Sequence, residues 1–216
     1  MVNNMDMNKR YIVVTSDDLQ PETIILFEKY WKPLKEKHKN LQVTFFVAPY
    51  NQEFGQKENN NIENSEDFKK WYNENKSWCQ VEMHGMDHTK PPEFLRGEKE
   101  QEFILGQSKK ILSNYIDENC LGFRSPFFRM NKNTIKCLIS SGVSWYSQWG
   151  YLSLLVPNKK HLPEFIEIYT HTNLAVANNP DNIDKVYNLV DEQLTKLEKY
   201  GFEYSTLRKI VKEVTS

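Results

Sequence analysis

Tyr11-Ile12-Val13-Val14-Thr15-Ser16-Asp17-Asp18 is the stretch on which the fold turns: a β-branched apolar run that ends in two adjacent carboxylates. Such a run reads as a buried strand. After Pro21 comes a helical stripe of Ile24, Phe27, Tyr30, Trp31 and Leu34 at three- and four-residue spacing, with Pro33 placed to kink or end it. The alternation continues along the chain. Leu41 to Val47 reads as a second strand closed by Pro49, and Asn51 to Asn64, rich in Asn, Gln, Glu and Lys, as a solvated surface loop. Phe68, Trp71 and Tyr72 mark a short amphipathic helix with Ser65 as its cap.

A third strand, Trp78 to Glu82, runs into His84-Gly85-Met86-Asp87-His88, and Pro91-Pro92 forces extended backbone beyond it. Ile104, Ile111, Leu112 and Tyr115 stripe the next helix. Leu121-Gly122-Phe123 is a brief strand that delivers Arg124-Ser125-Pro126-Phe127. Ile135, Leu138 and Ile139 belong to a helix stopped by Gly142. Val143 to Tyr146 and Phe165 to Tyr169 read as further strands. A long helix carries Ile183, Val186, Tyr187, Val190, Leu194 and Leu197, and Phe202-Glu203-Tyr204 plus a terminal helix complete the chain. With no internal repeat and no low-complexity linker, residues 1–216 read as one domain. Repeated βα units favour a parallel sheet, open or closed as a barrel.

Composition narrows the function. The 216 residues carry 28 basic and 29 acidic side chains, a formal net charge of -1, so no general field draws the chain to nucleic acid or an anionic membrane. No apolar run approaches the ~20 residues of a membrane span. Met1-Val2-Asn3-Asn4-Met5-Asp6 lacks the charged-then-apolar pattern of a signal peptide, which reads as a cytoplasmic location. Cys79, Cys120 and Cys137 are odd in number and widely spaced, fitting buried thiols in a reducing compartment rather than a thiolate zinc site. Aromatic content of 13% suits a packed core and equally a groove that stacks on sugar rings or bases.

Asp17 and Asp18, His84 and His88, Arg124 and His171 each fall at the C-terminal end of an expected strand. In parallel α/β folds the βα loops converge on that edge and build the active site. His84 and His88, four residues apart, can grip one ion. Gly85 stands where a metalloprotease helix has its glutamate, so that chemistry is excluded. With Asp18 they make a His₂Asp set suited to zinc, and also to iron(II), cobalt or nickel, with positions left open for water and substrate. Adjacent strand residues point to opposite faces, so one aspartate can ligate while the other serves as general base. Arg124 would keep that base ionised, and His171, in Tyr169-Thr170-His171, could protonate a leaving amine.

In this order the residues resemble the polysaccharide deacetylase superfamily, also called the NodB-homology or carbohydrate esterase family four domain. The family's T-F-D-D motif is similar to Thr15-Ser16-Asp17-Asp18, its H-x-x-x-H to His84–His88, its R-x-P-[FY] to Arg124-Ser125-Pro126-Phe127, and its catalytic-histidine motif to Tyr169-Thr170-His171. Val43-Thr44-Phe45-Phe46-Val47 also looks like the family's second strand. The resemblance implies an α/β fold, a distorted and incomplete (β/α) barrel, and hydrolytic removal of an acetyl group from an amino sugar. It implies that Asp18, His84 and His88 hold a divalent metal, zinc first, that Asp17 is the base steadied by Arg124, that His171 is the acid, and that the Phe127 N–H serves the oxyanion. Two departures stand out. Ser16 replaces an aromatic residue, and Gly142 to Trp149, where the family has an aspartate that tunes the histidine, has tryptophans but no aspartate. The expected partner is a carbohydrate or small amide substrate, with an amidohydrolase on another C–N bond and a carbohydrate-binding pseudoenzyme as the competing readings.

Overall fold

The structure is a computed structural model and describes residues 9–50, 61–171 and 180–216. The N-terminal segment and residues 51–60 of the Asn-rich stretch therefore lie outside the described residues. The strands are β1 (Arg10–Asp17), β2 (Val43–Val47), β3 (Cys79–Met83), β4 (Gly122–Phe123), β5 (Trp145–Gln148), β6 (Tyr151–Leu154), β7 (Glu164–His171) and β8 (Glu203–Ser205). They form one sheet in the order β6-β5-β4-β3-β2-β1-β7, with β8 also paired to β1. Every pairing is parallel except β5 with β6. The protein is thus an α/β fold with a curled, incomplete mixed sheet, a half-barrel.

Side-chain alternation on β1 divides the core in two. Ile12 and Val14 pack outward beneath the helices with Phe27, Trp31, Phe45 and Trp71. Tyr11 and Val13 point into the curl, where Phe46 and Trp145 meet Leu207, Ile210 and Val211 of the terminal helix, Leu207–Thr215. That helix fills the lumen below the level of Thr15 and Asp17. It also sends in Arg208, whose Nε meets the fully buried Glu82 at 2.6 Å while Nη2 donates to the Val81 carbonyl. Glu82 in turn accepts from the Gly122 N–H at 2.9 Å. Helices Glu66–Asn75, Glu98–Leu112 and Pro180–Lys199 cover the outer face.

Several local expectations need correction. Pro33 does not end its helix: residues 24–37 stay helical through a π-helical turn, Phe27–Trp31, placed just before the proline, and it is this wider turn that accommodates the missing N–H. The end of the Asn-rich stretch is not solvated loop, since Ile62–Asn64 forms a 3₁₀ turn with Ile62 fully buried. The strand expected at Val143 to Tyr146 starts two residues later and returns as an antiparallel hairpin with β6. At its tip Trp149 and Gly150 both have left-handed φ, 50° and 78°, as a tight two-residue hairpin requires. The Ser65 cap is present, accepting from the Phe68 N–H at 3.1 Å.

Gly122 is a position where only glycine fits. A Cβ built there would lie 2.1 Å from the Trp145 ring, because β4 runs flat against that indole. Gly122→Ala therefore has to displace Trp145 from the lumen core. It should cost about 1–3 kcal/mol, read in thermal unfolding as a Tm lowered by several degrees. An unchanged Tm would remove this account of β4.

Candidate active site

Register explains why the polar residues meet. Asp17 pairs with Phe46 on one side and His171 on the other, Val47 pairs with Met83, and Met83 with Phe123. The strands therefore end level with one another, and their next residues share one rim. Each of those residues is tied back to a neighbouring strand: the Asp18 N–H donates to the Phe46 carbonyl at 3.1 Å, His84 to Val47 at 2.9 Å, and Arg124 to Met83 at 3.0 Å. The rim is where the backbone is strained. Among the described residues the non-glycine positions with left-handed φ are Asp18, His88, Phe127, Phe128 and Trp149. Such conformations cost of order 1–3 kcal/mol each and persist only where the surroundings enforce them.

Asp18, His84 and His88, all buried, each bring one ligand atom within 4.8 Å of the others. The Asp18 Oδ1 lies 3.8 Å from His84 Nε2 and 3.6 Å from His88 Nε2. Ligands at about 2.0–2.2 Å from a tetrahedral ion stand roughly 3.3–3.6 Å apart, so modest closure would suffice. The protonation pattern also fits. His84 Nδ1 meets the Arg124 carbonyl at 2.9 Å and must donate to it, which leaves Nε2 bare for an ion. Burial, against the pull of Asp17, lowers the His84 pKa to about 3, so the ring is neutral at ordinary pH. The triad is able to coordinate a divalent metal.

Glu93 shapes the loop between the two histidines and went unnoticed in the sequence. Its carboxylate accepts from the N–H groups of Met86 at 3.0 Å, Asp87 at 2.8 Å and His88 at 3.3 Å. Gly85, at φ +80°, lets the backbone pass so close that a Cβ would lie 2.3 Å from Glu93 Oε2. Nothing in a surface-like Pro-Pro-Glu run announces this role.

Asp17 stands beside the triad rather than in it. Its Oδ1 accepts from Arg124 Nη1 at 2.9 Å, and its Oδ2 lies 3.7 Å from His84 Nε2. Burial pushes its carboxyl up, but Arg124, His84 and His171 together pull harder, so its pKa is held below the ordinary value. Arg124 reaches further than expected. Nη1 also donates to Thr15 Oγ1 at 3.1 Å, Nη2 donates to Ser147 Oγ at 2.8 Å and to Glu167, and the guanidinium lies 4.1 Å from the centre of the Phe46 ring. His171 is the last residue of β7, half-buried, with Nε2 2.7 Å from the Tyr169 hydroxyl. That hydroxyl donates to Asp17 Oδ2 at 3.1 Å. Glu167, Tyr169 and His171 form an i, i+2, i+4 row on β7; the glutamate set between Ile166 and Ile168 was the available signal for it.

An aromatic ledge borders this rim. Trp149, 70% exposed at the hairpin tip, stacks on Phe128 with ring centres 4.5 Å apart, and Phe128 meets Tyr169 edge-on at 5.4 Å. Phe127 packs on the ring of His88 at 4.4 Å. Of the expected site residues, Asp17, Asp18, His84, His88, Arg124, Phe127 and His171 all lie along this one rim.

No protein-family model matches the sequence, and no curated protein matches it. Solved structures share the fold. The carbohydrate esterase family 4 domain of a multidomain xylanase from the hindgut metagenome of Trinervitermes trinervoides aligns at TM-score 0.56 and 11% identity, covering 95% of this chain and 91% of that one. A family 4 pseudoenzyme from Bacillus anthracis aligns at TM-score 0.56 and 14% identity over 95% of this chain and 66% of its own. The family 4 carbohydrate esterase from Streptomyces lividans, in complex with acetate, aligns at TM-score 0.53 and 12% identity over 85% and 89%. At these identities the similarity establishes the fold.

Glu93→Gln puts an amide NH₂ where a carboxylate oxygen receives backbone N–H groups. Loosening the loop that aims His88 should weaken divalent-metal binding about tenfold to a hundredfold, measured by competition with a chromogenic chelator. Unchanged affinity would confine Glu93 to folding.

Proposed function

We propose that the protein is a metal-dependent hydrolase that removes an N-linked acetyl group from an amino-sugar substrate. The observation that carries the reading is the placement of Asp17: one carboxylate oxygen is held by Arg124 and the other faces the Asp18–His84–His88 triad. An ion in that triad, zinc by donor preference with iron(II), cobalt(II) or nickel(II) as substitutes, supplies Lewis acidity and a water of lowered pKa. Asp17 takes the proton of the attacking water as the new C–O bond forms at the acetyl carbon. Arg124 keeps the Asp17 carboxylate aimed and ionised up to that moment. The Phe127 N–H donates to the oxyanion. His171 gives its proton to the nitrogen as the C–N bond breaks, releasing acetate and the free amine.

The fold does not decide between enzyme and pseudoenzyme, since one of the similar structures is a pseudoenzyme. The residues favour turnover: a sugar-binding protein has no use for a buried carboxylate held ionised beside a metal triad. The ledge of Trp149 and Phe128 supports a carbohydrate substrate, because the apolar face of a sugar ring stacks on an exposed indole.

Purified protein should carry about one equivalent of divalent metal and release acetate from N-acetylglucosamine oligomers, with activity lost to chelator and restored by zinc or cobalt. Asp17→Asn should retain the metal and lose about 10²–10⁴ in kcat. Metal without acetate release from any oligomer would overturn the amino-sugar assignment, and activity in Asp17→Asn would overturn the base. Trp149→Ala should raise KM for an oligomer about threefold to tenfold, the loss of one aromatic contact, with kcat and bound metal little changed. An unchanged KM would take the ledge out of substrate binding.

A further inference from the structure

We propose that Tyr169 is the positioning residue that joins base to acid: its hydroxyl bridges Asp17 and His171 and thereby fixes which nitrogen of His171 carries the proton. The inference rests on the proposed deacetylase reading for its catalytic meaning and on proton counting for its geometry. Asp17, ion-paired with Arg124 at 2.9 Å, has no proton to offer and can only accept. The Tyr169 O–H therefore points at Asp17 Oδ2, 3.1 Å away. Burial, reinforced by the Asp17 charge, raises the phenol pKa far above its usual value, so that proton stays on the oxygen. The oxygen's remaining lone pairs face His171 Nε2 at 2.7 Å, and two acceptors cannot share that distance. Nε2 must be the donor. A neutral imidazole has one N–H, so Nδ1 is bare whenever the ring is neutral; it is the nitrogen protonated before the reaction and the one that gives its proton up during it.

This arrangement supplies what the stretch from Gly142 to Trp149 lacks. A catalytic imidazole is commonly oriented by a carboxylate, but Gly142 to Trp149 contains none, and its Ser147 is bonded to Arg124 instead. In this chain β7 provides the support. Glu167 holds Arg124 and Thr15 from the row beneath, and Tyr169 holds Asp17 and His171 from the row above. The proton balance closes across the pair. The attacking water leaves one proton on Asp17, the Nδ1–H of the imidazolium goes to the departing nitrogen, and return of the Asp17 proton to solvent with reprotonation of His171 restores the start. Tyr169 keeps its own proton throughout and acts by position.

The test is Tyr169→Phe, which keeps the ring and its edge contact with Phe128 and removes only the hydroxyl. In protein labelled with ring-¹⁵N histidine, His171 (assigned with a His171→Gln control) should show the Nε2–H tautomer, and Tyr169→Phe should lose that preference. With N-acetylglucosamine oligomers, kcat should fall about tenfold to a hundredfold while KM, bound metal and Tm hold. An Nδ1–H tautomer in the unaltered protein, or an unchanged tautomer in Tyr169→Phe, overturns the inference. If the tautomer shifts as expected but no oligomer is deacetylated, the positioning stands and the amino-sugar reading fails. If oligomers are turned over and Tyr169→Phe leaves kcat intact, the positioning role fails and the reaction stands.

Discussion

The buried guanidinium of Arg124 is the contact on which the rest of the rim depends. Its side chain is 1% exposed, and an unpaired cation there would cost several kcal/mol in lost hydration. Two carboxylates from β1 and β7 and hydroxyls from β1 and β5 offset that cost at Nη1 and Nη2, while the buried Nε is left without a hydrogen-bond partner. In the order of the sheet, β5 and β7 lie on opposite sides of β4 and far from one another. One side chain can touch both only because the sheet curls, so the half-barrel and the arginine's partners are a single constraint. The backbone of the same residue fixes the His84 tautomer through its carbonyl. Asp17 and His84 are thus aligned from one position.

Asp17 and Asp18 show how neighbouring identical side chains come to different environments. Asp17 is the last strand residue and faces inward with Tyr11, Val13 and Thr15. Asp18 has left the strand at φ 62° and turns its carboxylate toward the histidines. Asp tolerates that conformation better than most residues. His88 reaches the same ion position from φ 51°, held by Glu93. A relaxed chain at either residue would swing its ligand atom away, so the strain has a geometric purpose, secured by the hydrogen bonds that cross between strands.

The sequence made the rim legible because strand ends announce themselves. A β-branched run followed by Asp-Asp, a short strand followed by His-x-x-x-His and a two-residue strand before Arg-x-Pro needed no long-range information. What stayed hidden depends on curl or on buried polar contacts. Glu167 lies 43 residues from Arg124, and Tyr169 lies 152 residues from Asp17. A glutamate or tyrosine in a half-exposed strand reads as edge decoration until the sheet closes over it. β6 was missed because Trp149-Gly150 is a weaker turn signal than Asn-Gly, and Pro33 does not end its helix because a π-helical turn, which no residue pattern announces, precedes it.

The charge arrangement itself separates function from stability. Buried ion networks seldom stabilise a fold relative to well-packed apolar residues, which are often equal or better by 1–4 kcal/mol. The lumen around the terminal helix meets that standard with Tyr11, Val13, Phe46 and Trp145. Glu82 with Arg208 is the polar exception at that depth. Toward the rim, β1 and β7 instead carry Thr15, Asp17 and Glu167 around the buried Arg124. The change from apolar to charged coincides with the level at which the strained backbone begins and the histidines arrive. A fold selected for rigidity alone would have continued the apolar layers to the rim, and the half-barrel instead spends its last layer holding one carboxylate ionised beside an ion-sized cluster.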